Sequence, residues 1–214
     1  MNIDIVMTVT TIIVSIVVTF VTSIIQKQLN KNHVKFTDLQ LEFMSMVIDK
    51  TNIGDDIDSL MHILKQTYCK MLDTKKKEND DNGVRIVLRK YVPQKEYLIV
   101  VYCLPYSTKI SNILYKDSPQ FKNNMANLYV NSNEQIKKVF KYNNKTNYSQ
   151  YGTYMSYTLR KQGNIIGVLN ISSQQRVNER YSYENIKKLI EPIEDILISY
   201  IENKDDNFWL SDNG

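Results

Sequence analysis

Hydrophobic and polar positions change rhythm several times along this chain. From Ile5 to Ile25 runs an uncharged stretch dominated by aliphatic residues. At about 1.5 Å per helical residue it covers roughly the 30 Å of a bilayer core, so the pattern predicts one transmembrane helix over 5–25. Asp4 precedes the run and Lys27, Lys31 and Lys35 follow it. That is the wrong order of charge for a cleaved leader. By the positive-inside rule it places the short N-terminus, 1–4, outside and the rest of the chain in the cytoplasm, as a single-pass protein of the inner or plasma membrane.

Within the span most of the polar positions fall on one arc of a helical wheel. Thr8, Thr11, Ser15, Thr19, Thr22 and Gln26 share it with Asp4. Past the membrane the same seven-residue spacing turns apolar at Leu29, Phe36 and Phe43, with Leu39 and Met46 as a companion series. This predicts a connecting helix with a short coiled-coil seam over 26–52. Hydroxyl and small residues mark contact faces in lipid, where aliphatic side chains give helices little reason to associate, so the stripe reads as a homo-oligomerisation seam. A plainer account has the hydroxyls bonding back to their own helix. A stronger one has several copies lining a small pore.

Beyond residue 52 the pattern is that of a folded domain, expected over 53–203. "NIGD" breaks the connecting helix, and Asp55, Asp56 or Asp58 can cap a second one whose apolar face is Leu60, Ile63, Leu64, Met71 and Leu72. After the polar "KKKENDDNG", the runs "VRIVLRKYV" and "EYLIVVYCL" predict a hairpin turning at "PQK". Residues 106–150 are irregular, with one short helix expected near Glu134 to Tyr142. Two more strands, "TYMSYTLRK" and "NIIGVLNISS", meet at Gln162, Gly163 and Asn164, where the Gly-Asn pair suits a tight turn. An amphipathic helix follows from about Tyr183 to Asn203, kinked at Pro192. The tail, 204–214, carries Phe208 and Trp209. The whole is an α+β pattern.

Composition narrows the function. The net charge of +4 is mild, and the densest basic run, Lys75 to Lys77, is followed at once by Glu78, Asp80 and Asp81, which reads as a solvated loop and not a nucleic-acid site. Cys69 and Cys103 stand far apart among apolar neighbours, as core thiols do. The Asn-x-Ser/Thr matches at Asn144, Asn147 and Asn170 need a luminal location that the topology denies them. His33 and His62 have no nucleophile or paired carboxylate at a readable spacing, and no phosphate-cradling glycine loop or metal cluster is evident. No enzyme activity, metal or cofactor is expected.

The stretch "YGTYMSYTLRKQGNIIGVLNISSQQRVNERYSYENIKKLIEPIEDILISYI", residues 151–201, resembles the closing third of a GAF domain. The likeness lies in Gly163, the Ile166–Leu169 strand, Ser172 and Ser173, the Tyr183–Glu184 helix start and the long helix after it. The resemblance implies a GAF-like antiparallel sheet of about six strands with its helices packed on one face, and a small-molecule pocket on the other face beneath the irregular middle. Such modules bind cyclic nucleotides or other small ligands, or only dimerise. The family's Asn-Lys-x-Phe-Asp-Glu cyclic-nucleotide signature is missing; "NKTNYS" at Asn144 shares its first two residues.

Strand alternation puts Arg85, Val87 and Arg89 opposite Val84, Ile86 and Leu88, hence on the implied pocket side if the aliphatic face meets the helices. The same parity separates Tyr154, Ser156 and Thr158 from Met155, Tyr157 and Leu159. With Tyr102 and Asn170, whose facing alternation alone leaves open, the candidate ligand residues are Arg85, Arg89, Tyr102, Tyr154, Ser156 and Asn170. Arginines beside tyrosine and hydroxyl groups suit a phosphate-bearing, stackable ligand such as a nucleotide. The competing view makes Arg85 and Arg89 exposed edge-strand residues.

The expected function is a membrane-anchored cytoplasmic small-molecule sensor that oligomerises and signals through its transmembrane helix. No cyclase, phosphodiesterase, kinase or DNA-binding segment is recognisable in the sequence, so the expected output is the membrane itself, as in a nucleotide-triggered effector of bacterial antiphage defence. The alternative is a ligand-free GAF-like scaffold that tethers a cytoplasmic protein partner.

Overall fold

A computed structural model describes residues 36–48, 57–72, 83–105, 111–140 and 152–205. The chain divides into two compact units, Met1–Glu42 and Phe43–Gly214. The expected membrane span, its stripe from Thr8 to Gln26, and Leu29 lie outside the described residues. Among the described residues no helix is long and apolar enough to cross a membrane. Helix α1 covers 36–48, with Phe36, Leu39, Phe43 and Val47 buried, Met46 half-buried, and Leu41 and Ile48 exposed.

The second unit is built on one sheet. Its elements run α2 (Ile57–Met71), β1 (Arg85–Val92), β2 (Tyr97–Leu104), β3 (Ile113–Tyr115), α3 (Pro119–Met125), β4 (Tyr129–Val130), α4 (Asn133–Phe140), β5 (Thr153–Lys161), β6 (Asn164–Ser173), α5 (Tyr183–Ile190) and α6 (Glu194–Glu202). Among the described residues six strands order β3-β2-β1-β6-β5-β4, every pair antiparallel. β1 with β2 and β5 with β6 pair as hairpins, while β3 and β4 lie at opposite edges of the sheet and β6 returns beside β1.

The back face is apolar. Ile86, Leu88, Met155, Leu159, Leu169 and Ile171 alternate along the central strands and are fully buried, as are Leu64 and Met71 of α2, Ile186 and Leu189 of α5, and Leu197 and Ile201 of α6. Period 2 in the strands meets period 3.6 in the helices, and the two buried stripes form one core. Gly167 has no room for a side chain in this layer. A Cβ there would run into the Arg89 carbonyl and come within 2.7 Å of Ile201 Cδ1. Ser182 caps α5 in a reciprocal capping box with Asn185, and Pro192 sits in a 3₁₀ turn that separates α5 from α6, where the sequence places the kink.

Four expectations need correction. Helices lie on both faces: α3 packs on the front through Phe121, in an apolar cluster with Leu98, Leu114 and Val168. The irregular middle holds β3, α3 and β4 besides the helix expected near Glu134. These elements are only two to seven residues long, with β3 and β4 at three and two, which is too short for a period to show. The β5–β6 turn centres on Gln162 and Gly163, at φ of 52° and 83°, with Asn164 already in β6. Two left-handed central residues match the twist of the flanking strands, and the glycine carries one at no steric cost. Cys69 and Cys103 are half-buried rather than in the core.

Candidate functional site

The front face has two halves. Around Leu98, Leu114, Phe121 and Val168, with Tyr91 and Met125 against them, it is a closed apolar plug. Beside the plug opens a cavity of about 400 Å³, bordered by Arg85, Val87, Arg89, Asn124, Tyr154 and Asn170 among its lining residues. That volume lies within the range of small-molecule sites. Among the described lining residues there is no Asp or Glu.

The sheet register explains why these side chains meet. Arg85 pairs with Ser172, which pairs with Tyr154, so three residues form one row across β1, β6 and β5. Val87, Asn170 and Ser156 form the next row, and Arg89, Val168 and Thr158 the third. Directly opposed residues in such rows hold their Cβ atoms about 5 Å apart. β1 is an interior strand between β2 and β6, so Arg85 and Arg89 are not edge residues. Arg89 is 5% exposed and its Nη1 donates to the Ser111 carbonyl at 3.0 Å, while Arg85 is half-buried.

A hydrogen-bond chain crosses the cavity floor to its roof. Asn170 Nδ2 donates to the Tyr154 hydroxyl at 3.1 Å, and that hydroxyl donates to Asn124 Oδ1 of α3 at 3.1 Å. Asn124 Nδ2 donates back to the Gln120 carbonyl at 2.6 Å, and the side chain is 3% exposed. Ser118 caps α3 by accepting from the Phe121 amide. The roof is thus pinned by an apolar side chain, Phe121, and by a polar one, Asn124.

Four of the six candidate ligand residues, Arg85, Arg89, Tyr154 and Asn170, border this cavity. The other two do not. Ser156 is fully buried on the same face, but its hydroxyl accepts from the Leu128 amide at 2.8 Å and donates to the Asn123 carbonyl at 3.1 Å, holding the loop after α3. Tyr102 faces the other way. Counting from Leu98, alternation would bring it to the front, but Val100 pairs with Arg89 and Tyr102 with Leu88, leaving Val101 as an extra residue in β2. This bulge turns Tyr102 to the back, where its hydroxyl donates to Asp58 Oδ1 at 2.6 Å and its ring meets Tyr200 edge-on. Asn124 and Ser111 escaped the sequence reading because they lie in or beside elements too short to show a pattern. The one local signal was Ser118-Pro119, a capping serine followed by a proline suited to a helix's first turn.

Several tyrosines are perturbed by burial. Tyr68 of α2 is fully buried, its hydroxyl has no hydrogen-bond partner although Ser173 and Thr153 are polar neighbours, and desolvation pushes its pKa up. Tyr129 is pushed up to about 12 by the same cause. Tyr157 is raised by burial first and then by its hydrogen bond to Glu194. None of the three borders the cavity. They are structural groups held neutral.

Solved structures supply the likeness. The chain superimposes on the GAF domain of an Acinetobacter phosphoenolpyruvate-protein phosphotransferase with a TM-score of 0.50 at 9% identity, over 76% of this chain and 92% of that one. The corresponding domain from Coxiella burnetii gives 0.50 at 11% identity, with the same coverage of 76% and 92%. No family model and no curated protein matches the sequence. The chain has a GAF-like fold over most of its length.

Proposed function

We propose that this protein is a membrane-anchored sensor, without enzymatic activity, whose cytoplasmic GAF-like domain binds a nucleotide or a related phosphate-bearing small molecule. The observation that carries the reading is the convergence of Arg85, Arg89, Tyr154 and Asn170 on one cavity of about 400 Å³. Guanidinium groups recognise phosphate oxygens with directed hydrogen bonds, and tyrosine and amide groups orient the remainder of a ligand. The open cavity favours this over a scaffold that needs no ligand, for which side chains would fill the space. In this reading the polar stripe from Thr8 to Gln26 joins copies of the chain, whereas Phe36, Leu39 and Phe43 of the expected seam are already buried within one chain. Occupancy of the cavity shifts the packing of those helices between alternative arrangements, as a nucleotide-triggered membrane effector of antiphage defence would.

The test uses the purified full-length protein in detergent, screened by thermal shift against cyclic mono-, di- and oligonucleotides, with mass followed by light scattering. A specific ligand that raises the melting temperature and changes the oligomer, and loses both effects in Arg89→Gln, supports the sensor. No shift with any member, alongside a constant mass, removes the nucleotide and favours the tethered scaffold. Growth arrest on expression that vanishes when Thr11, Ser15 and Thr19 become Leu supports the membrane output.

A further inference from the structure

Arg85 and Arg89 lie on one face of one strand, four residues apart, so their Cα atoms stand about 13 Å from each other at the usual rise of a strand. β1 keeps unbroken register with β6 through this stretch, the bulge being in β2, and that fixes the separation. The two arginines also have different surroundings. Arg89 Nη1 bonds the Ser111 carbonyl just before β3, across β2, whereas Arg85 sits in the row of Ser172 and Tyr154 on the β6 side. Arg89 is buried at 5% exposure and Arg85 is half-buried, so one cation is at the covered end of the cavity and the other at its open end.

The middle differs from both ends. Val87 separates the arginines along β1, and Leu114 adds a second apolar surface. The polar groups there are already committed to each other, Asn170 to Tyr154 and Tyr154 to Asn124. A charged group placed in the middle would break those bonds and gain no cation. The geometry points to a ligand with two anionic groups held apart by an uncharged flat or apolar spacer, one anion on each guanidinium. This deepens the ligand-site reading above and rests on it. It separates bis-phosphoryl compounds with spaced charges from compounds whose negative charge is concentrated in a single phosphate or a phosphate chain.

A molecular ruler tests it. Full-length protein in detergent is titrated calorimetrically with methylphosphonate, pyrophosphate and a series of α,ω-alkane bisphosphonates of increasing chain length. The expected result is an affinity optimum at a long spacer, about tenfold or more tighter than methylphosphonate or pyrophosphate, as one added charge-assisted contact gives. Arg85→Gln and Arg89→Gln should each bring the long bisphosphonate down to the level of methylphosphonate. Arg85→Lys and Arg89→Lys keep the charge and should keep the length preference, and unchanged melting curves show that all four variants are folded. Affinity that is flat with length, or highest for pyrophosphate, overturns the two-anion assignment, while its loss in Arg89→Gln would leave the ligand site standing. No binding by any member to folded protein overturns both.

Discussion

The two faces of this sheet are made by the same strands, yet they solve different problems. On the back, Ile86, Leu88, Met155 and Leu159 are fully buried, as are the inward residues of three helices. On the front, their immediate neighbours Arg85, Arg89 and Tyr154 border an open cavity, and only the half under Phe121 is closed. The lesson is a division of labour at single-residue spacing. Burial on the back supplies stability that lets the front keep two guanidiniums and an unfilled space, features that cost free energy by themselves.

That contrast can be broken most sharply at Gly167, where the β1 backbone and Ile201 of α6 leave no room for a side chain. Gly167→Ala is expected to cost about 3 kcal/mol by forcing β1, β6 and α6 apart, read as a fall in the midpoint of urea unfolding. Leu88→Ala, which empties a fully buried back-face site, should cost about the same or slightly less. Three residues earlier on the same strand, Arg85→Gln should shift the unfolding midpoint by less than about 0.5 kcal/mol while weakening ligand binding, which would set the two faces apart within one strand. If Arg85→Gln destabilised as much as Leu88→Ala, the division would fail.

Hydroxyl deletions sharpen the comparison at smaller scale. Tyr102→Phe removes the bond to Asp58 and should cost about 1 kcal/mol. Tyr68→Phe removes a buried hydroxyl with no hydrogen-bond partner and should stabilise by up to about 1 kcal/mol, the opposite sign. The tyrosines also set a pH dependence. Tyr68, Tyr129 and Tyr157 have folded-state values raised above the usual 10, Tyr129 to about 12. Their contribution is fully present below pH of about 10 and is lost as pH climbs through the raised values. Unfolding midpoints should therefore hold steady to about pH 9 and fall beyond pH 10, less steeply in Tyr68→Phe.

Strand existence, the β1–β2 and β5–β6 hairpins, the closing helix and its break at Pro192 were all legible in the chain, because each rests on a local rule: alternation, turn chemistry or a missing amide. The facing of Arg85, Arg89 and Tyr154 was legible for the same reason, since regular strands keep their parity. Tyr102 was not legible, because a single extra residue at Val101 reverses parity and leaves no mark in composition. Asn124 and Ser111 were not legible either, because short elements take their shape from what they pack on. By itself the sequence determined which residues share a face. The tertiary structure alone decided which of them meet, since strand order brings β6 between β1 and β5 and so joins Arg85, Ser172 and Tyr154 in one row from positions far apart in the chain.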